Sequence, residues 1–546
     1  MFLKKLDLYY QTLKHVKPTQ LYHQVYYRFR NKFSSKIYYG QPGKIAKLKF
    51  QEGISYPVSC YGEGKFTFLN LEKQFTAIDW NFNAYGKLWT YNLNYFEFLH
   101  QEAMTKEEGL KLIRKYISSG ELLKDGLEPY PISLRGINWI KFLIENEVKD
   151  DKINSFLYRD YLRLADNLEY HLLANHLLEN GFSLLFGAYF FKDDQLYKKA
   201  KGILVQELEE QVLEDGAHYE LSPMYHQIIL HRVLDSYNLV KKNNWKEREF
   251  LSLLQEKAEI MLGWLEQISF TSGEIPKLND AAHGIAPTTK ELCSYAKRLG
   301  LNEKKVALSD SGYRKFKDDN FEVVMDVGQI APTYQPGHSH ADSLQFVLNY
   351  KGEPIIVDTG ISTYEKNERR QLERSTCSHN TVTIDGKNSS SVWSGFRVAE
   401  RAEVTILRNS RTKIKASHNG YRNLGITHNR TFEFSSKEFK IEDKLEGSLE
   451  KVAGKGHIHF HPDVELELKK NVLLINRELE LEISGAESID IVDYTFAEAF
   501  NKLRPAQKII YQLSNNAQLL FHAASATANA ATAAQSLRPP RENQHY

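Results

Sequence analysis

Cysteine is scarce in this chain, with only Cys60, Cys293 and Cys377 among 546 residues. An odd, scattered set without a Cys-x-x-Cys pair excludes a disulfide framework and a thiolate zinc cluster. No apolar run reaches the roughly 18 residues that a membrane-spanning helix needs, so no membrane span is expected. The opening stretch, MFLKKLDLYYQTLKHVKPTQ, has lysines but lacks the apolar centre of a secretory signal. A cytoplasmic location is therefore expected, or a periplasmic or secreted one if a signal has been removed. An excess of either charge is also missing: 71 Lys and Arg face 69 Asp and Glu, a formal net charge of +2. That balance excludes a general nucleic-acid binder, which carries a strong basic surplus. It leaves room for an acidic polysaccharide as partner, because a cleft can be locally basic on a neutral chain.

What the chain does have is length, aromatic rings and a sharp change of texture. A length of 546 residues exceeds one hydrophobic core and predicts two domains. Tyr (31) and Phe (29) raise the aromatic share to 12%, which serves either large cores or sugar-stacking clefts. From about 96 to 310, segments such as INWIKFLIENEV and MYHQIILHRVLDSYNLVKK repeat apolar residues at spacings of three and four, the mark of amphipathic helices. Near residue 310 the pattern becomes short, β-branched and alternating, as in LQFVLNY, NTVTIDG and FKIEDKLEG, with DG, NG and KG turns between runs. The expected order is an N-terminal extension (1–95) packing on a helical domain (96–310), then an antiparallel β-sandwich (318–520). The Ala-rich stretch 522–546 reads as a disordered or non-native tail.

Four clusters can carry chemistry. The first joins GHSHAD, with His338 and His340, to Asp358 in IIVDTG and His379 in RSTCSHN. Two imidazoles and a carboxylate, His340, Asp358 and His379, suit a zinc-like ion; they can equally be separate hydrogen-bonded groups at strand ends. In the second, NHLLENG, His176 and Glu179 share a helix face and Asn175 lies beside them, either on a cleft or on a solvated surface. The third, EDGAHYELSPMYH, starts a helix at Ser222-Pro223 and places Tyr225 in its first turn. A tyrosine there can exchange protons, or simply pack. In the fourth, LRGINWI, Arg135, Asn138 and Trp139 can grip a carboxylate and stack on a sugar, or serve the core. The run HIHFHP sets His457, His459 and His461 on one strand face without an acid nearby and reads as structural.

Together these segments resemble the heparinase II/III family of polysaccharide lyases and its alginate-lyase relatives, over about residues 85 to 400. The resemblance implies an incomplete α/α toroid against an antiparallel β-sandwich, with the substrate cleft between them. It also implies roles. Tyr225 matches the catalytic tyrosine, and His338 the histidine opposite. Asn175 and His176 match the groups that neutralise a uronate carboxylate. His340, Asp358 and His379 match a structural zinc site. Glu179, Arg135, Asn138, Trp139, Tyr364 and Arg374 are candidate substrate contacts. The implied reaction is β-elimination on a uronic-acid-containing polysaccharide of heparan, alginate or capsular type. Two alternatives compete: a glycoside hydrolase pairing Glu179 with Glu220 or Asp215, and a non-catalytic glycan-binding protein of polysaccharide assembly.

Overall fold

The computed structural model describes residues 2–33, 36–62, 64–435, 437–448 and 452–524. Its helical part starts where the local chemistry says it should. Thr105 and Thr288 form capping boxes with Glu108 and Glu291, Asp150 and Asp193 accept the first free N–H groups of their helices, and prolines open Pro129–Glu145 and Pro223–Lys242. Alternate helices form two layers. Lys87–Tyr95, Pro129–Glu145, Ala174–Phe191, Pro223–Lys242 and Thr289–Arg298 touch one another in turn on the inside. Lys106–Ser118, Asp151–Asp166, Asp194–Gln211 and Arg248–Ile268 back them from outside. The layering explains a difference in the sequences. All but one residue of Ala174–Phe191 is buried, so it is apolar all round, whereas the outer helices keep a clear polar face. This is an incomplete α/α toroid.

After Tyr313 the regular structure is antiparallel strand, apart from the short helix Glu368–Glu373 and two 3-10 turns. One four-stranded sheet runs Tyr313–Lys317, Phe321–Asp326, Phe346–Tyr350 and Glu353–Ile356 in order. A second contains Ser488–Ala499, Lys502–Leu513, Gly454–His459 and Val382–Ile384. An eight-stranded sheet covers them, built around the pairing of Ile426–Phe434 with Glu438–Gly447. Alternating inward residues such as Phe439, Ile441, Leu519 and Phe521 fill the core between them. A second core fills the toroid and takes in Tyr313, Val324, Tyr334, Val347 and Ile361, so the two domains share a packed boundary.

The strands begin slightly before the expected 318 and end slightly after 520, at Ala523, so residues 522–523 belong to a strand and not to the tail. Residues 525–546 lie outside the described residues. In the extension, which reads as mixed from sequence, the structure has helices Phe2–Leu13 and Pro18–Phe33 and a hairpin of Lys65–Phe68 with Leu71–Gln74.

Candidate active site

The site forms where two helix starts of the toroid meet the GHSHAD loop of the β-domain. Leu173 and Ala174 both have positive φ, 60° and 57°, immediately before Asn175. Such backbone is strained for residues with a Cβ and is held by its surroundings. The helix there has no capping side chain of its own. Glu220 takes that role from the next segment: its carboxylate accepts from the Asn175 backbone N–H at 3.1 Å and from Asn175 Nδ2 at 2.9 and 3.0 Å. A carboxylate at a helix N-terminus is favoured by the exposed N–H groups and the helix dipole. At the next residue, His176 Nδ1 lies 3.0 Å from Glu169, and its ring lies 4.6 Å from that of Tyr130. Burial alone lowers the His176 pKa, but Glu169, supported by Glu220 and Glu179, outweighs it and holds the imidazole above its ordinary value.

Ser222 caps the second helix by accepting from Tyr225 N–H, and its hydroxyl donates to the Asp280 carbonyl at 2.9 Å. Tyr225 therefore sits in the first turn, with its hydroxyl 3.4 Å from that of Tyr364. Its ring lies 4.0 Å from the His338 imidazole, across the domain boundary. Burial pushes the phenol well above its usual pKa, so it is protonated at rest.

Asp280 connects these parts. It is fully buried, in the loop between helices Arg248–Ile268 and Thr289–Arg298. Its carboxylate receives Arg370 through two bonds of 2.5 and 2.6 Å, His338 Nδ1 at 2.9 Å and His340 Nε2 at 2.8 Å. Burial alone raises an acid's pKa, but Arg370 and the two imidazoles hold Asp280 well below the carboxylate range. The loop's backbone is pinned as well. Asp280 N–H donates to the His338 carbonyl, His340 N–H to Asn279 Oδ1, and Arg374 to the Ser339 carbonyl. His338 and His340 turn to opposite oxygens of one carboxylate. His338 keeps Nε2 free of any bond, 3.8 Å from Glu220.

The candidate metal residues are neighbours. His379 Nδ1 lies 2.7 Å from Asp358 Oδ2, and the His340 and His379 rings are 5.2 Å apart. His340 Nδ1 and His379 Nε2 are buried without a hydrogen-bond partner, the condition that a bound cation relieves. The donor chemistry and these two orphaned nitrogens fit a divalent ion. Both Asp358 oxygens are engaged, by His379 and by Gly360 N–H at 2.9 Å. Among the described residues, the trio whose donor atoms all approach within 4.8 Å is instead Glu480, Glu482 and His522, on the outer sheet.

Several expected substrate contacts require correction. Arg135 is buried, pairs with Asp160 at 2.6 Å and donates to the Gly126 carbonyl. Asn138 donates to the Tyr95 carbonyl and Trp139 packs against Phe96, both fully buried. Helix Pro129–Glu145 belongs to the inner ring, and LRGINWI lies on its buried faces, which is why this motif serves the core and not a ligand. Glu179 is buried against Arg232 Nε, 3.1 Å away, and Arg374 is buried against the loop backbone. Of the six, only Tyr364 stands at the site. The carboxylates offered for a hydrolase are likewise committed: Glu179 to Arg232, Glu220 to Asn175, and Asp215 to Ser309 and Ser311. His457 and His459 bond to Thr383 and Asn380 inside the sandwich.

A toroid and sandwich that meet around Tyr, His and Asn define a class of two-domain proteins, and comparison with known proteins names it. Residues 132–302 match the model of the heparinase II/III N-terminus, and residues 301–533 that of the heparinase II/III-like C-terminal region. The chain belongs to the heparinase II/III family. It is 26% identical over 325 residues to a heparin-sulfate lyase of Bacteroides stercoris, covering 54% of this chain and 46% of that one. It is 28% identical over 260 residues to a heparin-sulfate lyase of Pedobacter heparinus, covering 42% and 39%. The chain thus spans less than half the length of these curated relatives. A solved structure titled heparinase III superposes with a TM-score of 0.63 at 13% identity, covering 94% of this chain and 93% of the other, which establishes the shared fold.

Proposed function

We propose that the chain is a polysaccharide lyase cleaving a uronic-acid-containing, heparan-like polysaccharide by β-elimination. The observation that carries this reading is the close approach of the Tyr225 and His338 rings, 4.0 Å apart across the domain boundary, beside His176. A uronate C5 proton becomes removable once the adjacent carboxylate is neutralised. His176, whose pKa Glu169 raises and whose protonated form it therefore favours, is placed to supply that charge. Asn175 supplies hydrogen bonds only by releasing Glu220, to which its amide is bonded at rest. With Nδ1 on Asp280, His338 has Nε2 free to take the C5 proton, and Glu220 stands 3.8 Å away to stabilise the imidazolium. Tyr225, neutral at rest, gives its proton to the departing O4. His340, Asp358 and His379 would hold a divalent ion such as zinc, which would tie together the segments behind the His338 loop.

The test is ultraviolet absorbance of unsaturated uronyl ends on heparan sulfate, hyaluronan, alginate and uronate-containing capsular glycans. Cleavage of any of them without new absorbance defeats the elimination reading in favour of hydrolysis. Binding without cleavage defeats it in favour of a glycan-binding protein.

A further inference from the structure

The two N-terminal helices face the wrong way for an ordinary surface helix. Helix Pro18–Phe33 meets the toroid through polar groups. Gln20 donates to the Leu172 carbonyl, Tyr27 to the Leu168 carbonyl at 2.6 Å and Arg30 to the Asp166 carbonyl at 2.7 Å. Its opposite side exposes Leu21, Tyr22, Val25, Tyr26, Phe29 and Phe33, a stripe at spacings of three to four. Helix Phe2–Leu13 repeats the pattern. Thr12 accepts from the Trp393 indole, while Leu6, Tyr9, Tyr10 and Leu13 are exposed. Among the described residues, 12 of the 22 exposed large hydrophobic side chains lie between positions 6 and 39. Monomer surfaces rarely concentrate apolar groups in this way without a partner.

Charge identifies the partner. Residues 1–39 contain eight Lys and Arg against one Asp, a net +7 in a chain of net +2, so the remainder carries −5. The exposed Lys5, Lys14, Arg28 and Lys32 flank the apolar stripes. Lys17, Arg30 and Lys36 pair with Glu210 and Asp166 of the toroid, but the remaining bases still bring like charge against like charge when two copies meet face to face, which disfavours that pairing. A polyanionic glycan offers nothing to Leu6, Leu13, Leu21 and Val25. Aliphatic and aromatic side chains bordered by lysine and arginine match the boundary between headgroups and acyl chains of an anionic bilayer. No described helix is long and apolar enough to cross a membrane, so the contact is superficial. We propose that helices Phe2–Leu13 and Pro18–Phe33 form a docking surface for an anionic lipid membrane.

The surface also bridges both walls of the site. The first helix touches Trp393 of the β-domain, and the second holds the segment leading to Asn175. Docking would therefore hold the cleft beside the lipid surface.

The experiment is co-sedimentation of the full chain with vesicles of phosphatidylcholine alone and with phosphatidylglycerol admixed; it needs no substrate and is independent of the lyase reading. Binding should be at least about tenfold stronger to the anionic vesicles and should weaken as salt is raised. Both the Phe29→Ser/Phe33→Ser and the Lys14→Glu/Lys32→Glu variants should lose it. Leu503→Ser, an exposed apolar change on the β-domain, should leave it intact. Equal binding to both vesicle types, or unchanged binding by the helix variants, overturns the proposal. So does a dimer dissolved by Phe29→Ser/Phe33→Ser in a protein that ignores vesicles, which assigns the face to a second copy.

Discussion

Replacing Asp280 by Asn changes no volume and removes one charge, yet it should damage both stability and turnover. The fully buried Arg370 guanidinium loses the anion that receives two of its bonds. Stranding one member of a buried ion pair typically costs about 3–5 kcal/mol. The amide can still accept from one neighbour, but its NH2 group now faces a donor, so the imidazoles of His338 and His340 cannot both keep their bonds. His338 then loses the contact that fixes Nε2 as its free nitrogen. The equivalent Asp to Asn change behind a catalytic imidazole in serine proteases lowers turnover about 10⁴-fold through the wrong tautomer, and a loss of roughly 10²–10⁴ is expected here. The two effects separate in Asp280→Asn/Arg370→Met. Removing the stranded cation should restore most of the denaturant midpoint, since replacing a buried ion pair by apolar groups is often near neutral. Turnover should stay low. The assays are denaturant unfolding and unsaturated-product formation on the polymer that the native protein cleaves. Wild-type turnover in the single variant, or full recovery in the double variant, would show that Asp280 serves only as Arg370's counter-ion.

Three other outcomes are expected. Tyr225→Phe removes one hydroxyl, so folding and polymer binding should persist while turnover falls on the order of a hundredfold or more; near-native rates would hand the proton transfer to another group. Zinc added to metal-stripped protein should raise its unfolding midpoint, by about 2.7 kcal/mol of stability at a hundredfold excess over Kd, and His379→Ala should abolish the response. In the toroid, burial alone raises the pKa of Asp235, but Lys141, bonded at 2.9 Å, with His231 and Arg232 brings it down to about 2. A depressed acid contributes stability above its unfolded pKa and loses it as pH falls from about 4 to about 2, an effect of roughly 2 kcal/mol. Asp235→Asn should therefore be least stable relative to wild type near neutral pH, and the gap in denaturant midpoints should narrow across that window.

The division into toroid and sandwich was legible because helix and strand impose different repeats on apolar residues, and the repeat changes once, near residue 310. The N-terminal helices were not legible because that reading assumes an apolar stripe turned inward. In Pro18–Phe33 the inward contacts are Gln20, Tyr27 and Arg30, so the pattern carries no sign of what it packs against. LRGINWI failed for the opposite reason. An inner-ring helix is buried on nearly every side, so Arg135 lies in the interior with Asp160 and looks, in sequence, like an exposed arginine beside a tryptophan.

Within the site, Tyr225 and His338 were singled out by the resemblance of their motifs to the family, since a tyrosine after a Ser-Pro helix start reads equally as a packing residue. Their supports were not. Asp280 comes from a loop 58 residues before His338 and 90 before Arg370, and an aspartate followed by Ala-Ala-His-Gly carries no spacing that points to either. Glu220 suggested a hydrolase acid because sequence shows a carboxylate near a cleft and not its partners. In the structure the Asn175 amide and the start of its helix bind it, so the same carboxylate holds a donor in place at rest and must yield it to substrate. Glu220→Ala, by freeing that amide, separates the two roles. If Glu220 only restrains Asn175, KM for an anionic polymer should fall with kcat preserved; if it also stabilises the His338 imidazolium, kcat should fall as well. A variant indistinguishable from wild type in both would mean that Asn175 does not contact the uronate even when its amide is free, and that His176 neutralises the uronate alone.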